Sequence, residues 1–555
     1  MPRSLAPYPA RTLLSYLAEA AFQRPHHPAL LFKGNVITCG QLEQLSDALA
    51  AALAALGVVK GDRIGLILPS CPQFVIGLFG AWKAGAVAAP LSPLYTPHEL
   101  EEALNRLRVE TVVVWTRGYS SLKAIQPKTT LRRIVATSIK EYLPPASRLM
   151  YTLAFEQSRG DRASLVEGDY RLQELLGEYS SRQPKAAQAN AGDPAVILMS
   201  GGTTGTPKGV IGLHGGLVAA GLQGRAWLSP VLSEWSDVNL LPLPLFHVLG
   251  MGVLAGSVVG HNPLCLVPDP RDLTDLLHTI EIVRPSLLYG VPALFVALLN
   301  RTDVAQGQIN LRSIKLCFSG AAPLLAETKS RFEALTGGRI VEGYSCTEAM
   351  MACTVQPVLG IHKVGSVGLP LPDVSVRVID AGGGDAGPGG VGDVLISAPQ
   401  VSPGYWENEV ETAGAFSSDA NGHRWLTTGD VGYLDEDGYL FLVDRKKDLI
   451  KTSGYQVWPR EIEEVIASHP AVSQVAVAGV PDSQKGEVPQ AWVVLRQGTQ
   501  AGEQEIRAYC RERLAPYKVP ARVVLVESLP VTMAGKILKR KLVAHPTPSR
   551  TSEET

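Results

Sequence analysis

Cysteine is scarce in this 555-residue chain. The seven present, Cys39, Cys71, Cys265, Cys317, Cys346, Cys353 and Cys510, include no Cys-x-x-Cys spacing. An odd count in a long chain argues against a disulfide framework and fits a reducing compartment. Charge of one sign is lacking too: Lys and Arg total 51 against 52 for Asp and Glu. That balance leaves no basic field to grip a phosphate polymer, so nucleic acid is not an expected partner and small molecules are. Long hydrophobic runs are also missing. The N-terminus, MPRSLAPYPARTLLSYLAEA, has no unbroken apolar stretch of the kind a secretory signal needs. The most apolar windows, 74–90 and 249–260, are interrupted by Lys83 or too short to span a bilayer. These absences predict a cytoplasmic protein whose further contact would be peripheral, at the inner membrane surface.

Hydrophobic residues make up 46% and charged residues 19%, the balance of a soluble globular protein. A chain this long exceeds what one hydrophobic core organises, so at least two domains are expected. Residues 63–115 alternate: RIGLIL reads as a buried strand, FVIGLFGAWKAG as a helix, AVAAPL as a second strand. HELEEALNRLR then sets Leu100, Leu104 and Leu107 on one helical face before the β-rich run TVVVW. Strand–helix–strand repetition predicts a parallel α/β sheet. The rhythm returns at SIKLCF, LLAETKSRFEAL and GRIVEG, so a second α/β layer is expected.

After Pro372 the texture changes to short strands and turns. The glycine-rich stretch AGGGDAGPGG at 381–390 reads as an exposed hairpin turn, because no helix follows it. Beyond the charged patch DRKKD comes a compact α+β pattern: helix PREIEEVIASH, strands AVSQVAVAGV and AWVVLR, helix EIRAYCRERL and strand RVVLVES. The expected fold class is therefore α/β. A large N-terminal domain of α/β layers with a small β-rich part occupies 1–444, a hinge 445–448, and a small α+β C-terminal domain 449–545. A polar tail at 546–555 is expected to be disordered.

The strongest local signal is MSGGTTGTPKGV at 199–210, directly after the apolar run AVIL. Small residues let the backbone approach a polyphosphate, with N–H groups and the hydroxyls of Ser200, Thr203 and Thr204 as donors and Lys208 as a cation. Gly201, Gly202 and Gly205 provide the close approach. It is not a Walker loop: Lys208 is followed by Gly209 rather than Ser or Thr, and the glycine spacing differs.

Further segments follow in order: LPLFHVLG (243–250), SGAAPL (319–324), EGYSCTEAM (342–350), GSVGLP (365–370), WLTTGD (425–430), DRKKDLIKTSGYQVWPREIE (444–463) and MAGKILKRKL (533–542). With the glycine-rich loop, this ordered set resembles the adenylate-forming superfamily: acyl- and aryl-CoA ligases, luciferases and peptide-synthetase adenylation domains. The resemblance covers nearly the whole chain. It implies ATP-dependent conversion of a carboxylic acid to an acyl-adenylate and pyrophosphate, then transfer of the acyl group to coenzyme A. ATP, Mg²⁺ and coenzyme A are the implied cofactor and co-substrates.

The same resemblance implies roles. Glu348, with Ser200, would hold Mg²⁺, one carboxylate sharing the ion with phosphate oxygens and water. Gly320, Ala321 and Ala322 would flank the adenine and Tyr344 stack on it. Thr347 would contact the α-phosphate, and Glu342, Gly343, Ser345 and Lys451 belong to the same nucleotide-contacting set. Asp430 would take the ribose hydroxyls, with Arg445 as the second contact, although an Asp–Arg pair could equally be a structural salt bridge. Lys536 would bridge the attacking carboxylate and a phosphate oxygen, lowering their repulsion in the transition state. For the thiol step the resemblance implies that the small domain is mobile and swings at Lys447. Ser453, Gly454 and Tyr455 would then line the pantetheine path. His247 would gate between an acyl pocket and that path, although a lone histidine is equally at home as a packing residue.

The acid is less defined. PLYTPHEL at 93–100, Gly201, and the 145–180 segment are similar to bacterial long-chain fatty acyl-CoA ligases, and a medium- or long-chain fatty acid is the expected substrate. Val248, Leu249, Met251, Val253, Val291 and Phe295, with His247, Gly320 and Tyr344, fall in segments that build the family's acyl pocket, and many of these serve equally as core. Met199 and Cys346 depart from the commoner pattern of the family, and Gln456 stands where the bacterial long-chain enzymes carry Asn. An aryl-acid CoA ligase and an acyl-AMP ligase that loads a carrier protein are the alternatives within enzymes. The stretch PLFHVLG lacks the aspartate that an amino-acid adenylation domain pairs with its ammonium. A non-catalytic acyl- or nucleotide-binding protein is the alternative outside them, but Lys536, Glu348, Asp430 and the 200–208 loop are intact. Monomer and homodimer both remain open.

Overall fold

The alternation at 63–115 folds as a parallel sheet. The structure is a computed structural model that describes residues 2–182, 189–200, 207–420, 422–453, 455–482, 484–496, 498–532 and 537–544. Arg63–Ile67 pairs in parallel with both Val87–Pro90 and Thr111–Trp115. These belong to a seven-stranded sheet that runs, in order, Tyr170–Arg171, Arg133–Thr137, Thr111–Trp115, Arg63–Ile67, Val87–Pro90, Pro194–Ser200, Lys208–Leu213. The crossover helix Pro72–Lys83 begins on its proline, which has no N–H to lose there, and every residue in it is buried. Its Trp82 indole donates to the Ala195 carbonyl at 2.7 Å. Lys83, which interrupts the apolar window, is buried but paired with Asp47 at 2.7 Å and Glu43 at 2.9 Å. Leu100, Leu104 and Leu107 are buried in one cluster with Val112 and Val114, so the helical face read from sequence packs on the sheet as expected.

Nine strands form a second sheet. Its middle, in the order Arg339–Tyr344, Leu316–Ser319, Leu287–Gly290, Asn239–Leu241, Leu264–Leu266, Pro28–Phe32, is parallel throughout. The rhythm at 314–343 is therefore a strand, the helix Ala326–Thr336 and a strand, as the sequence implies. Gly290 lies opposite Ser319 and Ser319 opposite Glu342, so two parallel strands end level and the third runs two residues further, to Tyr344. Ligands of open α/β sheets bind in the crevice outside such ends.

Contacts divide the chain into two units. Met1–Val364, Gly368–Ser375 and Ile396–Leu426 form the first; Gly365–Val367, Val376–Leu395 and Thr427–Thr555 form the second. In the second, an antiparallel ladder joins Val472–Asp482 to Gly486–Leu495, Arg522–Leu525 adds in parallel, and the helices Pro459–Ala467 and Glu503–Arg511 contribute Ile462, Ile466, Ile506 and Cys510 to its core. The glycine-rich stretch is a turn: Asp380 N–H donates to Gly384 O at 2.9 Å and its carboxylate accepts from Gly382 N–H at 2.8 Å. Residues 546–555 lie outside the described residues. Among those described, no helix is long and apolar enough to cross a membrane.

His214 opens the helix His214–Leu228 and is buried with its ring edge-on to Trp82 at 5.3 Å. Burial lowers its pKa to about 4, and the positive end of a helix disfavours the imidazolium as well. The unfolded chain takes up that proton near pH 6.5 and the folded chain does not. Stability from this group is therefore complete above pH 6.5 and falls as pH drops toward 4. About 2 kcal/mol should be lost between pH 7 and pH 5. Thermal melts at the two pH values, in wild type and His214→Phe, check this: the variant should lose distinctly less.

Candidate active site

The glycine-rich loop connects an antiparallel hairpin. Pro194–Ser200 and Lys208–Leu213 pair with Ser200 opposite Lys208, so these two residues stand at the loop's mouth. Gly201, Gly202, Thr203, Thr204 and Gly205 lie outside the described residues. Behind the mouth, the 208–211 backbone is strapped to 404–406: Trp406 N–H donates to Gly209 O at 2.7 Å, and Ile211 N–H to Gly404 O at 3.1 Å. This puts the Tyr405 ring 5.2 Å from the Lys208 ammonium. Lys208 is also ion-paired with Glu411 at 2.6 Å.

Tyr405 links this hairpin to the EGYSCTEAM segment. Its hydroxyl donates to Glu348 Oε1 at 2.9 Å, and the Glu348 carbonyl accepts from Ser402 N–H at 2.8 Å. Burial, and then the negative charge of Glu348, push the Tyr405 hydroxyl far above its ordinary range. It is thus a permanent donor that orients one carboxylate oxygen. The hairpin approaches from the other side: a Cβ on Gly212 would lie 2.6 Å from Met350 Sδ. Thr347 and Glu348 sit in a 3-10 turn closed by Met350, at φ 58°, whose N–H donates to Thr347 O at 3.1 Å. Ser345 donates its hydroxyl to the Met351 carbonyl.

The other predicted residues of this unit gather at the carboxyl ends of the second sheet. Gly320 N–H donates to Gly290 O at 3.3 Å, and Ala321 holds a left-handed φ of 70°, a strained conformation for a residue with a Cβ. Glu342 accepts from Leu324 N–H at 3.2 Å, tying the SGAAPL turn to the neighbouring strand. Gly343 must be glycine, since a Cβ would lie 2.5 Å from the Phe318 ring. Gly320 in turn faces the Gly343 carbonyl and the Leu249 side chain, each 3.8 Å from where its Cβ would be. Ala322 follows in the same turn, and Tyr344 ends its strand, buried. His247 caps the helix Val248–Val259; a Cβ on Gly250 would fall 2.2 Å from the Pro244 carbonyl, which fixes the turn that carries His247.

Among the acyl-pocket residues, Val248 and Val291 are buried and Phe295 packs edge-on against Phe332 at 5.0 Å. None of the three lines the cavity of about 810 Å³ whose wall includes Gly224, Arg225, Gly252, Gly256, Tyr289 and Met351. Gly252 is five residues past His247 and Met351 three past Glu348. A Cβ on Gly256 would meet nothing within 4 Å, whereas one on Gly224 or Gly252 would run into Met351 at 2.9 and 2.6 Å, so Gly256 is the glycine of these three that faces open space.

In the second unit, Asp430 lies directly opposite Arg445 in an antiparallel ladder, and the two are ion-paired at 3.1 Å. Lys451 N–H donates to the Glu487 carboxylate at 3.0 Å. Ser453, at φ 48°, turns the chain toward Tyr455, which is exposed and stacked on Tyr517 at 4.3 Å. The Lys447 side chain, Gly454 and Lys536 lie outside the described residues. Lys539 is partly buried and paired with Glu463 at 2.8 Å; desolvation alone would lower its pKa, but Glu463, with Asp444 near it, holds it above the usual lysine range.

Residues 17–406 match the AMP-binding enzyme family, and residues 461–536 match the AMP-binding enzyme C-terminal domain. The chain belongs to the AMP-binding enzymes. Two named relatives, both called long-chain-fatty-acid–CoA ligase, come from Bacillus subtilis (strain 168), 37% identical, and Salmonella typhimurium, 32% identical. Each alignment covers 98% of this chain and 96% of the relative. Among solved structures, the anthranilate CoA ligase AuaEII in complex with anthranoyl-AMP superposes with a TM-score of 0.83 at 27% identity, covering 98% of both chains. The Mycobacterium tuberculosis fatty acyl CoA synthetase superposes at 0.72 and 28% identity, over 96% of this chain and 98% of that one.

In this AMP-binding enzyme, sequence reasoning missed Tyr405 and Glu411. Both lie some two hundred residues from the loop they serve, in a stretch without periodicity. Glu348 fits a Mg²⁺ role of the shared kind. One oxygen is engaged by Tyr405, and among the described residues no group of three or more His, Cys, Asp or Glu could hold a metal by itself, so substrate phosphates would complete the shell. Partners that orient a metal carboxylate typically matter 10–100-fold. Tyr405→Phe should therefore raise the Mg²⁺ concentration needed for half-maximal nucleotide binding about tenfold. Titration of bound ATP with Mg²⁺ measures this.

Proposed function

We propose that the chain is an AMP-forming acid–CoA ligase acting on a medium- or long-chain fatty acid. The observation that carries this reading is the large cavity whose wall begins within five residues of His247 and Glu348. Its lining includes Met351, whose carbonyl accepts from the hydroxyl of Ser345, one of the predicted nucleotide residues. Pockets of this size suit small-molecule ligands. The names of the relatives, long-chain-fatty-acid–CoA ligase, support the same acid.

In the first step a carboxylate oxygen attacks the α-phosphorus of ATP and the bond to pyrophosphate breaks, leaving acyl-AMP. Both reactants are anionic, so the step needs fixed positive charge and donors where charge builds. Lys536 bridges the two anions, Lys208 and the 200–205 loop receive the phosphates, and Thr347 donates at the α-phosphate. Asp430 and Arg445 take the ribose. Mg²⁺, held through Glu348 with Ser200, would neutralise phosphate charge. In the second step the coenzyme A sulfur attacks the acyl carbon, the bond to AMP breaks and the thiol proton leaves to solvent. A free thiol is only slightly ionised at neutral pH, so alignment by Ser453, Gly454 and Tyr455 outweighs basicity. The structural likeness to an anthranilate CoA ligase supports an aryl acid as the second reading.

Pyrophosphate release over a panel of fatty and aryl acids, with and without coenzyme A, separates these. The expected result is strongest release with the longer fatty acids, with thioester formed. Release without thioester would indicate a carrier-loading ligase, and silence from folded protein would overturn the enzyme reading. Lys536→Ala should lower adenylation at least about 100-fold. Gly256→Phe, which adds a ring at a position where a Cβ meets open space, should cut kcat/KM for the longest acids about tenfold or more while sparing short ones.

A further inference from the structure

The helix Pro145–Ala154 wears its apolar face outward. Its one buried residue is Tyr151. The Tyr151 hydroxyl is bound to the Asp161 carboxylate, which Arg117 grips from the other side at 3.0 and 3.1 Å. Asp161 is buried, so this anchor fixes the helix rotation. At 100° per residue, Leu149 and Leu153 then point away from the protein, one turn apart, with Met150 beside them. They are 62%, 79% and 59% exposed, and Phe155 follows just past the helix end at 37%. An ordinary surface helix does the reverse and hides its apolar stripe.

The surroundings are cationic. Arg148, Arg159 and Arg162 are exposed, and among the described residues none has a carboxylate partner: Arg148 donates to the carbonyls of Lys140 and Glu141, and Arg159 lies over the Phe155 ring at 4.9 Å. Within the 145–162 segment, Glu156 is paired with Lys140 at 2.6 Å and Asp161 with Arg117; Glu141 accepts from the Thr137 hydroxyl, and Glu167 is exposed past the segment's end. Apolar side chains flanked by unpaired guanidinium groups match a surface with acyl chains beneath anionic headgroups.

We propose that the 145–162 segment docks this protein on an anionic lipid bilayer, with Leu149, Met150 and Leu153 entering the acyl boundary and Arg148, Arg159 and Arg162 against the headgroups. This goes beyond the reaction and does not depend on it. The test is flotation of the full chain with vesicles of phosphatidylcholine alone or with phosphatidylglycerol. The expected result is binding to the anionic vesicles that weakens as salt rises. The L149D/L153D double variant should lose binding tenfold or more, and each of R159Q and R162Q should weaken it about fivefold. Both leucines are exposed, so melting should not change; should the double variant fail to fold, Leu153→Ser serves in its place. Wild type that ignores anionic vesicles, or leucine variants that bind like wild type, would overturn the proposal. A wild-type dimer that L149D/L153D converts to monomer, without vesicle binding, would assign the face to a second copy of the chain.

Discussion

The candidate site depends on backbone hydrogen bonds between 208–211 and 404–406. They bring an aromatic residue from one region of the chain under the ammonium group of another, and the same residue then reaches Glu348 with its hydroxyl at 2.9 Å. Three sequence-distant segments are fixed by one ring: the end of the glycine-rich hairpin, the 347–350 turn and the 402–411 stretch. Because burial and the adjacent carboxylate keep that hydroxyl protonated, the link is a directed donor at any pH the fold tolerates.

The second constraint is geometric. Parallel strands with Gly290, Ser319 and Glu342 in register give the loops that follow a common rim. At Gly343 a Cβ would lie 2.5 Å from the Phe318 ring, and at Gly250 2.2 Å from the Pro244 carbonyl, so the backbone at both packs more closely than a side chain would permit. The left-handed Ala321 shows that the backbone there is held by its surroundings rather than by its own preference.

Much of the fold was legible because it is local. Period-two and period-3.6 patterns located the strands and helices at 63–115 and 314–343, and the absence of a following helix identified 381–390 as a turn. Ordered motifs identified the family. What could not be read depends on long-range geometry. Tyr405 carries no periodic signal, since its importance comes from strand pairing across two hundred residues. The cavity is lined by residues from distant segments, among them Tyr16, Arg225, Gly256, Tyr289 and Met351, which no local pattern brings together. The outward face of the 145–154 helix is set by Tyr151 meeting Asp161, and amphipathic spacing alone gives a stripe without saying which way it points.

Lys208 is already engaged before any nucleotide arrives, held by Glu411 at 2.6 Å. Under the proposed role of Lys208, an incoming polyphosphate would compete with a resident carboxylate for one ammonium group. Affinity at that position is the difference between two ion pairs rather than the strength of one. The carboxylate that is released sits at the start of the short helix Glu409–Ala415, where the helix dipole stabilises its charge once the lysine has left. The exchange thus has a built-in resting place for the displaced anion, and the site can hold its cation in place without binding phosphate irreversibly.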